Sequence, residues 1–230
     1  MKRPLMLLFS LAGYLGSQAQ QRPKAGLWFA ANLPVNFTKH WQWHNDAGYR
    51  TLGTSVEPLQ YLYRTGIRYN FNNQWNTAGG VAFFFTKTNF SKSDNEFGNE
   101  FRFWEEVNHH RPLNETLQLL LRFRTEQRFF GATSIKKEYT GYRFRFRPGF
   151  NLKLNNIWSV QLTDEYMRQM ANNEFSFDQN RLTFSGIYLF NKTTQLQAGY
   201  MWLKWPKDDQ HILTFTFTKT ISPHGDNKQK

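Results

Sequence analysis

The stretch that decides the fold runs from residue 116 to residue 152 and reads TLQLLLRFRTEQRFFGATSIKKEYTGYRFRFRPGFNL. In the first half of this stretch, alternate residues form a mainly charged or polar face and an apolar face. The polar face carries Gln118, Leu120, Arg122, Arg124, Glu126 and Arg128. The apolar face carries Leu117, Leu119, Leu121 and Phe123. After a polar loop the pattern returns: Arg143, Arg145 and Arg147 against Tyr142, Phe144, Phe146 and Phe150. A helix would scatter these arginines around its circumference, whereas a strand aligns them in a row. The stretch therefore predicts two strands with one apolar and one charged face, which is typical of the wall of a membrane β-barrel.

The composition favours a barrel over a bundle of membrane helices. The mean hydropathy of −0.67 would by itself suggest a soluble protein. No segment after the N-terminus approaches the run of about 18 apolar residues that a membrane helix needs. The 23 Phe, 10 Tyr and 8 Trp residues suit strands and interfacial aromatic girdles. Because only alternate residues of a barrel strand face lipid, hydropathy averages do not reveal such strands.

The N-terminus, MKRPLMLLFSLAGYLGSQAQ, predicts a cleaved secretory signal peptide over residues 1–19. It combines the basic residues Lys2 and Arg3, a short apolar run over residues 5–15, and a small-x-small cleavage site that ends at Ala19. The chain contains no Cys, which excludes disulfides, thiolate metal sites, cysteine nucleophiles and a lipoprotein anchor.

The net charge is +12, and removal of Lys2 and Arg3 with the signal would leave +10. Such a charge can indicate nucleic-acid binding, but an exported protein rarely meets nucleic acid. The expected partners are instead outer-membrane lipid and, during biogenesis, the barrel-assembly machinery. No nucleic-acid partner is predicted, and the sequence leaves the oligomeric state open.

Eleven candidate strands follow the signal, at residues 27–37, 41–51, 59–71, 74–87, 100–108, 116–129, 139–152, 157–168, 179–190, 194–205 and 211–220. Short connections are predicted at 38–40, 72–73, 111–115, 155–156 and 191–193, and longer ones at 52–58, 88–99, 130–138 and 169–177. This alternation is typical of outer-membrane barrels, which have short periplasmic turns and longer external loops.

The count conflicts with the even strand number expected of such barrels. It also starts the first strand at the external end, although an exported chain should begin in the periplasm. Either the segment before Trp28 passes through the interior or the count is wrong by one. The predicted fold is therefore all-β: a membrane-spanning, antiparallel up-and-down β-barrel of about 10 to 12 strands, with 10 or 12 expected. The barrel should occupy residues 20–221, followed by a polar C-terminal tail, 222–230, without a terminal aromatic residue.

Several motifs resemble a known family. They are the signal ending Ser-Gln-Ala-Gln, turns in which Asn-Asn or Asn-Lys follows an aromatic residue, the Arg-x-Glu-Gln-Arg-Phe run at 124–129, Tyr142-Arg143-x-Arg145 and Asn180-Arg181-Leu182. Together they resemble the domain-of-unknown-function 2490 family of predicted bacterial outer-membrane proteins, over nearly the whole mature chain. The resemblance implies an outer-membrane β-barrel in a Bacteroidetes-like bacterium and implies no activity, substrate or catalytic residue.

Fourteen charged residues are predicted to line the interior: Arg64, Arg68, Glu100, Arg102, Glu106, Arg122, Arg124, Glu126, Arg128, Arg143, Arg145, Arg147, Glu165 and Arg181. One interpretation is an internal network of ion pairs, because unpaired buried charge is costly and inward side chains fill small barrels. The other is a water-filled path that selects anions.

The only candidate catalytic pair is Asp209 and His211, which would share a face of the last strand at the external rim. An Asp–His pair can activate water, and Asp94 and Glu96 could supply a second acidic pair. His109 and His110 have no nucleophile motif beside them. No metal spacing and no phosphate-binding loop occurs, so no metal and no cofactor are predicted.

The predicted role is structural, or the porin-like passage of small solutes through a charged interior, and catalysis is not expected. One alternative is an outer-membrane hydrolase that uses Asp209 and His211. A second is a soluble periplasmic β-barrel that carries a ligand, since such a protein would also show a signal and alternating strands.

Overall fold

The computed structural model describes residues 22–90 and 96–223. The predicted signal peptide lies outside these ranges, as does the predicted tail beyond Pro223. The described residues form strands and loops, and the all-β prediction is confirmed. Within these ranges, no helix has the length and apolar character needed to cross a membrane.

Twelve strands occur in the described ranges: β1 (Ala25–Asn32), β2 (Val35–Asn36), β3 (Trp41–Thr51), β4 (Pro58–Asn70), β5 (Trp75–Lys87), β6 (Phe97–Pro112), β7 (Leu117–Phe130), β8 (Tyr139–Lys153), β9 (Trp158–Ala171), β10 (Glu174–Asn191), β11 (Thr194–Lys204) and β12 (Asp209–Lys219).

Eleven of these strands, all except β2, close into one barrel. From β3 to β12 each strand pairs antiparallel with the next, and β1 closes the barrel between β3 and β12. The β1–β12 pair is parallel, in the register Ala25↔His211 to Asn32↔Thr218. The predicted barrel is confirmed and its eleven strands fall within the predicted range of 10 to 12, but the expectations of a purely antiparallel sheet and of an even strand number are wrong. Each hairpin reverses the chain, so the eleventh wall strand runs in the same direction as the first and can pair with it only in parallel.

The first predicted strand, 27–37, is divided at Pro34, which has no N–H to donate to a neighbour. The two-residue β2 follows it and pairs with β3. The Pro34 carbonyl still accepts a hydrogen bond from the Ile221 N–H at 2.8 Å, and Val35 forms a parallel bridge with Ile221. The proline thus occupies a break in the ladder beside the closing pair.

The connections at the two ends of the barrel differ. At the short-turn end they are residues 37–40, 71–74, 113–116, 154–157 and 192–193. At the long-loop end they are residues 52–57, 88–96, 131–138, 172–173 and 205–208. The predicted loop over 169–177 is wrong, because β9 and β10 are joined by Asn172 and Asn173 alone. Their φ angles of 52° and 62° fit a two-residue hairpin turn whose central residues are left-handed.

One side-chain cap recurs at the short-turn end. The Oδ1 atom of Asn72 accepts hydrogen bonds from the backbone N–H groups two and three residues later, and Asn114 and Asn155 do the same. The Thr38 hydroxyl plays this role in the first turn, and Asn191 accepts from Thr193 in the last. Asn and Thr side chains that bond to nearby backbone in this way stabilise tight turns.

The alternation of the sequence is reproduced by the two faces of the wall. Phe123, Phe144 and Phe184 are among many large apolar side chains exposed on the outside. Arg124, Glu126 and their inward neighbours are buried.

A close approach of β4 and β5 makes room for one large side chain. The indole of Trp104 is buried inside the barrel against Gly66 and donates to the Val81 carbonyl at 3.1 Å. A Cβ on Gly66 would meet Trp104 and the Gly79 carbonyl, and one on Gly80 would meet β4 backbone. The pair Gly79-Gly80 on β5 therefore marks close packing.

Candidate functional site

The centre of the barrel interior contains a network of buried ion pairs around Glu126. Its carboxylate lies 3.0 Å from Arg102 Nη1 and 2.6 Å from Arg145 Nη1. Arg124 and Arg143 approach the same carboxylate at 3.7 and 3.8 Å. The Glu126 side chain is only 2% exposed, so its charge depends on these four guanidinium groups.

Arg145 links Glu126 to a second buried carboxylate, Glu165. Its Nε and Nη2 donate to the two oxygens of Glu165 at 3.0 and 2.9 Å, which is the bidentate geometry that guanidinium groups favour. Arg122 also donates to Glu165, and Arg181 lies 3.9 Å away. Residues on β7, β8, β9 and β10 are thereby joined in one network.

Two further carboxylates extend the network along β6. Glu100 accepts from Arg102 and Arg128 near the long-loop end. Glu106 accepts from Nε and Nη2 of Arg124 at 2.9 and 2.6 Å, and it also lies 3.3 Å from Arg68.

Two smaller pairs complete the set. Asp46 is paired with Arg64 at 2.8 Å and with His44 at 2.9 Å, and Asp178 is paired with Arg143 at 2.7 Å.

Arginines outnumber carboxylates inside the described part of the barrel. Eleven strand arginines face the interior: Arg50, Arg64, Arg68, Arg102, Arg122, Arg124, Arg128, Arg143, Arg145, Arg147 and Arg181. Six strand carboxylates do so: Asp46, Glu100, Glu106, Glu126, Glu165 and Asp178. Two of the arginines, Arg50 and Arg147, have no carboxylate partner among the described residues. Arg50 instead donates to Gln60 at 2.7 Å and lies 3.7 Å from the centre of the Trp28 ring.

These side chains surround a cavity of about 1130 Å³. The inward faces of β6 to β9, here called the charged wall, carry most of the ion-pair network. The inward faces of β11, β12 and β1, here called the neutral wall, carry no charged side chain in the described ranges. The neutral wall consists mainly of these residues: Gln197, Met201, Leu203, Ile212, Thr214, Thr216, Trp28, Ala30 and Asn32.

The cavity is lined by residues from both ends of the barrel. Arg22, Phe90 and Ile135 line it at the long-loop end, and Asn151 and Gln197 line it toward the short turns. The Arg22 guanidinium lies 3.9 Å from the centre of the Trp205 ring and 3.9 Å from Asp208, and its burial lowers its pKa.

The structure places the fourteen residues predicted for the interior together. All of them line the cavity except Glu126, which lies behind its arginine partners.

The family comparison agrees with the resemblance noted in the sequence. Residues 25–210 match the model of the family described as protein of unknown function (DUF2490). The chain belongs to this family. The matched range includes the whole charged wall and ends within β12. The search of curated proteins found no match to the chain.

The candidate catalytic pair of this family member is not assembled into a dyad. Asp209 and His211 do share the outward face of β12. However, Asp209 accepts from Trp202 Nε1 at 3.1 Å and from Lys24 at 3.3 Å, whereas His211 Nδ1 lies 2.6 Å from the Tyr200 hydroxyl.

The acidic pair proposed to face the dyad is not assembled either. Glu96 bonds to Ser134 on another loop, and Asp94 lies outside the described residues. His109 faces outward and stacks on Trp75, while His110 lines the cavity. Within the described ranges, no group of three or more His, Asp or Glu side chains is arranged to hold a metal ion.

Two carboxylates of the network are not among the fourteen residues predicted for the interior. The alternation of residues 41–51 does predict that Asp46 faces inward, and the structure places it there, buried against Arg64. Asp178 was assigned to the edge of a loop, whereas the structure places it at a bulge between Phe177 and Gln179 on β10. The bulge turns Asp178 inward together with Gln179, and both are buried. A strict period of two cannot reveal a residue that a bulge turns inward.

Proposed function

We propose that this protein is an outer-membrane β-barrel that lets small anions pass through its interior. The observation that carries the proposal is the excess of eleven arginines over six carboxylates around an interior cavity. A compartment lined by one sign of charge attracts the opposite sign, and rings of arginine are a known basis of anion selectivity.

The location in the outer membrane is supported by the outward rows of aromatic and aliphatic side chains on successive strands. Phe103, Phe123, Phe146 and Phe184 are all about half exposed there. A soluble protein rarely exposes so large an apolar surface, whereas a barrel in lipid requires one. The signal peptide predicted from residues 1–19 is consistent with export. Lipid and the barrel-assembly machinery are the partners that this location implies.

Conductance of the mature protein in a planar bilayer tests the passage of anions. We expect a steady conductance and, across a KCl gradient, a reversal potential that shows preference for chloride. Arg50→Glu should reduce or reverse that preference, because Arg50 faces the cavity and its replacement breaks no ion pair with a described residue. Reversal at Arg145 would be a poorer test, since it would separate Glu126 and Glu165 from a shared partner.

Arg111→Glu is the matched control. Arg111 is exposed and points outward at the short-turn end, so its reversal changes the net charge equally without changing the interior. Folded, inserted protein without conductance would contradict the proposal, and so would equal effects of the two variants.

A soluble carrier is the second candidate, and the charged side chains of the outer face favour it. Glu105 and Asp164 point outward near the middle of β6 and β9, where a lipid-facing position would be costly. Asp164 accepts a hydrogen bond from Asn180 at 2.8 Å on the same face. Fractionation of expressing cells separates the candidates, because the membrane barrel should sediment with outer membranes and the carrier should remain in the periplasmic extract.

A further inference from the structure

Three arginines near the short-turn end have guanidinium groups that are not fully paired by the described residues. Arg122 and Arg147 lie directly opposite each other on β7 and β8. Arg68 on β4 shares the carboxylate of Glu106 with Arg122, at 3.3 and 3.9 Å. These three arginines and His110 line the same end of the cavity and are here called the Arg147 cluster.

The carboxylates near the cluster, Glu106 and Glu165, already accept hydrogen bonds from other arginines. Glu106 makes its shortest contacts with Arg124, at 2.6 and 2.9 Å. Glu165 accepts from Arg145 with both of its oxygens, and one of these oxygens also accepts from Nη2 of Arg122. Arg147 therefore has no ion pair among the described residues, although it faces the same cavity.

Individual atoms show the same deficit. The Nε groups of Arg68 and Arg122 are buried and have no hydrogen-bond partner among the residues that the structure describes. Buried N–H donors are normally satisfied, and an unsatisfied donor on a cation is especially costly. The cluster thus combines excess positive charge with unsatisfied donors at one end of the cavity.

The missing partner should be an anion with several acceptor oxygens. A guanidinium group presents a planar fork of donors that matches phosphate and carboxylate oxygens, and several such groups favour a ligand with more than one negative charge. The polar side chains of Gln118 and Asn151 line the cavity at this end and can donate to further oxygens. A lipid headgroup does not fit this site, because the cluster faces the interior whereas the apolar side chains that would contact lipid face outward.

We propose that the Arg147 cluster is a binding site for a divalent tetrahedral oxyanion, of the class of inorganic phosphate or sulfate. This site rests on the proposed passage of anions, and it would be the point on that path at which one class of anion is selected by binding. A divalent anion bound there would neutralise the excess charge of the cluster and accept hydrogen bonds from the Arg147 guanidinium, which lines the cavity without an ion pair among the described residues.

The test is titration of the mature, folded protein with inorganic phosphate, and separately with sulfate, by calorimetry in a buffer that lacks both anions. We expect one bound anion per chain and a loss of affinity of at least about tenfold in Arg147→Gln. Arg147→Lys should recover part of that loss, because lysine keeps the charge but lacks the planar fork. Arg111→Gln should bind phosphate as the unchanged protein does, since it removes an outward guanidinium from the same end of the barrel.

Two results would overturn the site: no heat of phosphate binding by the unchanged protein, or equal affinity in Arg147→Gln and Arg111→Gln. Arg147 makes no ion pair with the described residues, so its replacement should leave folding intact, and unfolding curves of each variant verify this. Chloride conductance of the same preparation separates the two proposals. Conductance without phosphate binding overturns the site alone, and phosphate binding without conductance supports the site and overturns the passage.

Discussion

The charged wall and the neutral wall line the same cavity, but one carries ionised side chains and the other carries uncharged side chains. On the charged wall, Glu126 and Glu165 are each surrounded by arginines from neighbouring strands. On the neutral wall, Met201, Leu203 and Ile212 form a small apolar cluster against Trp28 and Trp205, and threonines follow toward the short-turn end. Long arginine side chains fill the space in front of their own wall, whereas short threonine side chains leave space in front of theirs. The difference places the cavity between an excess of cations and a surface of neutral hydrogen-bonding groups.

The two walls should respond differently to the loss of one polar group. A buried ion pair contributes little net stability when intact, but removal of one partner leaves an uncompensated charge. A neutral hydroxyl that faces a cavity can be replaced at small cost, because water can still reach its neighbours.

The largest expected effect is that of Glu126→Gln. The substitution keeps the shape of the side chain and leaves Arg102 and Arg145 without one of their carboxylates. We expect it to lower the free energy of unfolding by about 3 to 5 kcal/mol. The matched change on the neutral wall is Thr216→Val, for which we expect less than about 1 kcal/mol. Urea unfolding followed by tryptophan fluorescence measures both, and equal losses would remove the energetic distinction between the walls.

The second effect concerns the glycine contact that supports the charged wall. In Gly66→Ala the new Cβ would lie 2.8 Å from Trp104 Cζ2 and would also meet the Gly79 carbonyl. Because Trp104 packs against Arg124, the displacement should reach the network. We expect a loss of about 2 kcal/mol in the free energy of unfolding.

Gly186→Ala on β10 is the control for backbone entropy in that experiment. A Cβ at Gly186 would meet nothing within 4 Å. The control should therefore be neutral or slightly stabilising. If it destabilises the barrel as much as Gly66→Ala does, steric contact with Trp104 is not the cause.

Local periodicity predicted the faces of the strands but could not predict how the barrel closes. The alternation within 122–124 and within 143–147 predicts from the sequence alone that the arginines share one face, because alternation is a property of a single strand. The pairing of Ala25 with His211 joins residues at opposite ends of the chain, and nothing in either strand encodes it. The number of candidate strands, eleven, equals the number of strands in the barrel wall. The general rule of even strand numbers wrongly favoured 10 or 12.

The turns show what a dipeptide can and cannot predict. The sequence predicts tight two-residue turns at Asn72-Asn73 and Asn155-Asn156, yet each pair lies in a four-residue connection in which the first Asn caps the following backbone. Asn172-Asn173 lies in the middle of the predicted loop 169–177 but forms a two-residue turn. The strands on either side distinguish this turn from the other two Asn-Asn pairs, because β9 continues to Ala171 and β10 begins at Glu174.

The third prediction tests that turn, which joins the charged wall to β10. Asn173→Ala should lower the free energy of unfolding by about 1 kcal/mol, because alanine is strained at the φ of 62° that asparagine tolerates. Asn173→Gly should cause little loss, since glycine adopts positive φ without strain. The same urea unfolding experiment compares them. Equal losses in both variants would show that a side-chain contact of Asn173, and not its backbone conformation, stabilises the turn.

The smallest expected effect lies in the long loops over the charged wall. Glu96 on the β5–β6 loop accepts hydrogen bonds from the Ser134 hydroxyl and from the Ser134 backbone N–H, the latter at 2.8 Å. These bonds lower the pKa of Glu96. Because the folded pKa lies below the unfolded one, the contribution of this contact is fully present above the unfolded pKa and is lost as pH falls through the folded pKa.

Hydrogen exchange at the Ser134 amide, corrected for the intrinsic pH dependence of exchange, follows this contact directly. Protection should be constant from neutral pH down to the ordinary range of glutamate and should decline at more acidic pH. In Glu96→Gln the amide oxygen can still accept a hydrogen bond but cannot titrate, so protection should be weaker and independent of pH over the same range. A decline of equal size in both proteins would assign the acid sensitivity to the buried carboxylates of the charged wall instead. The experiment therefore separates the loops from the network beneath them.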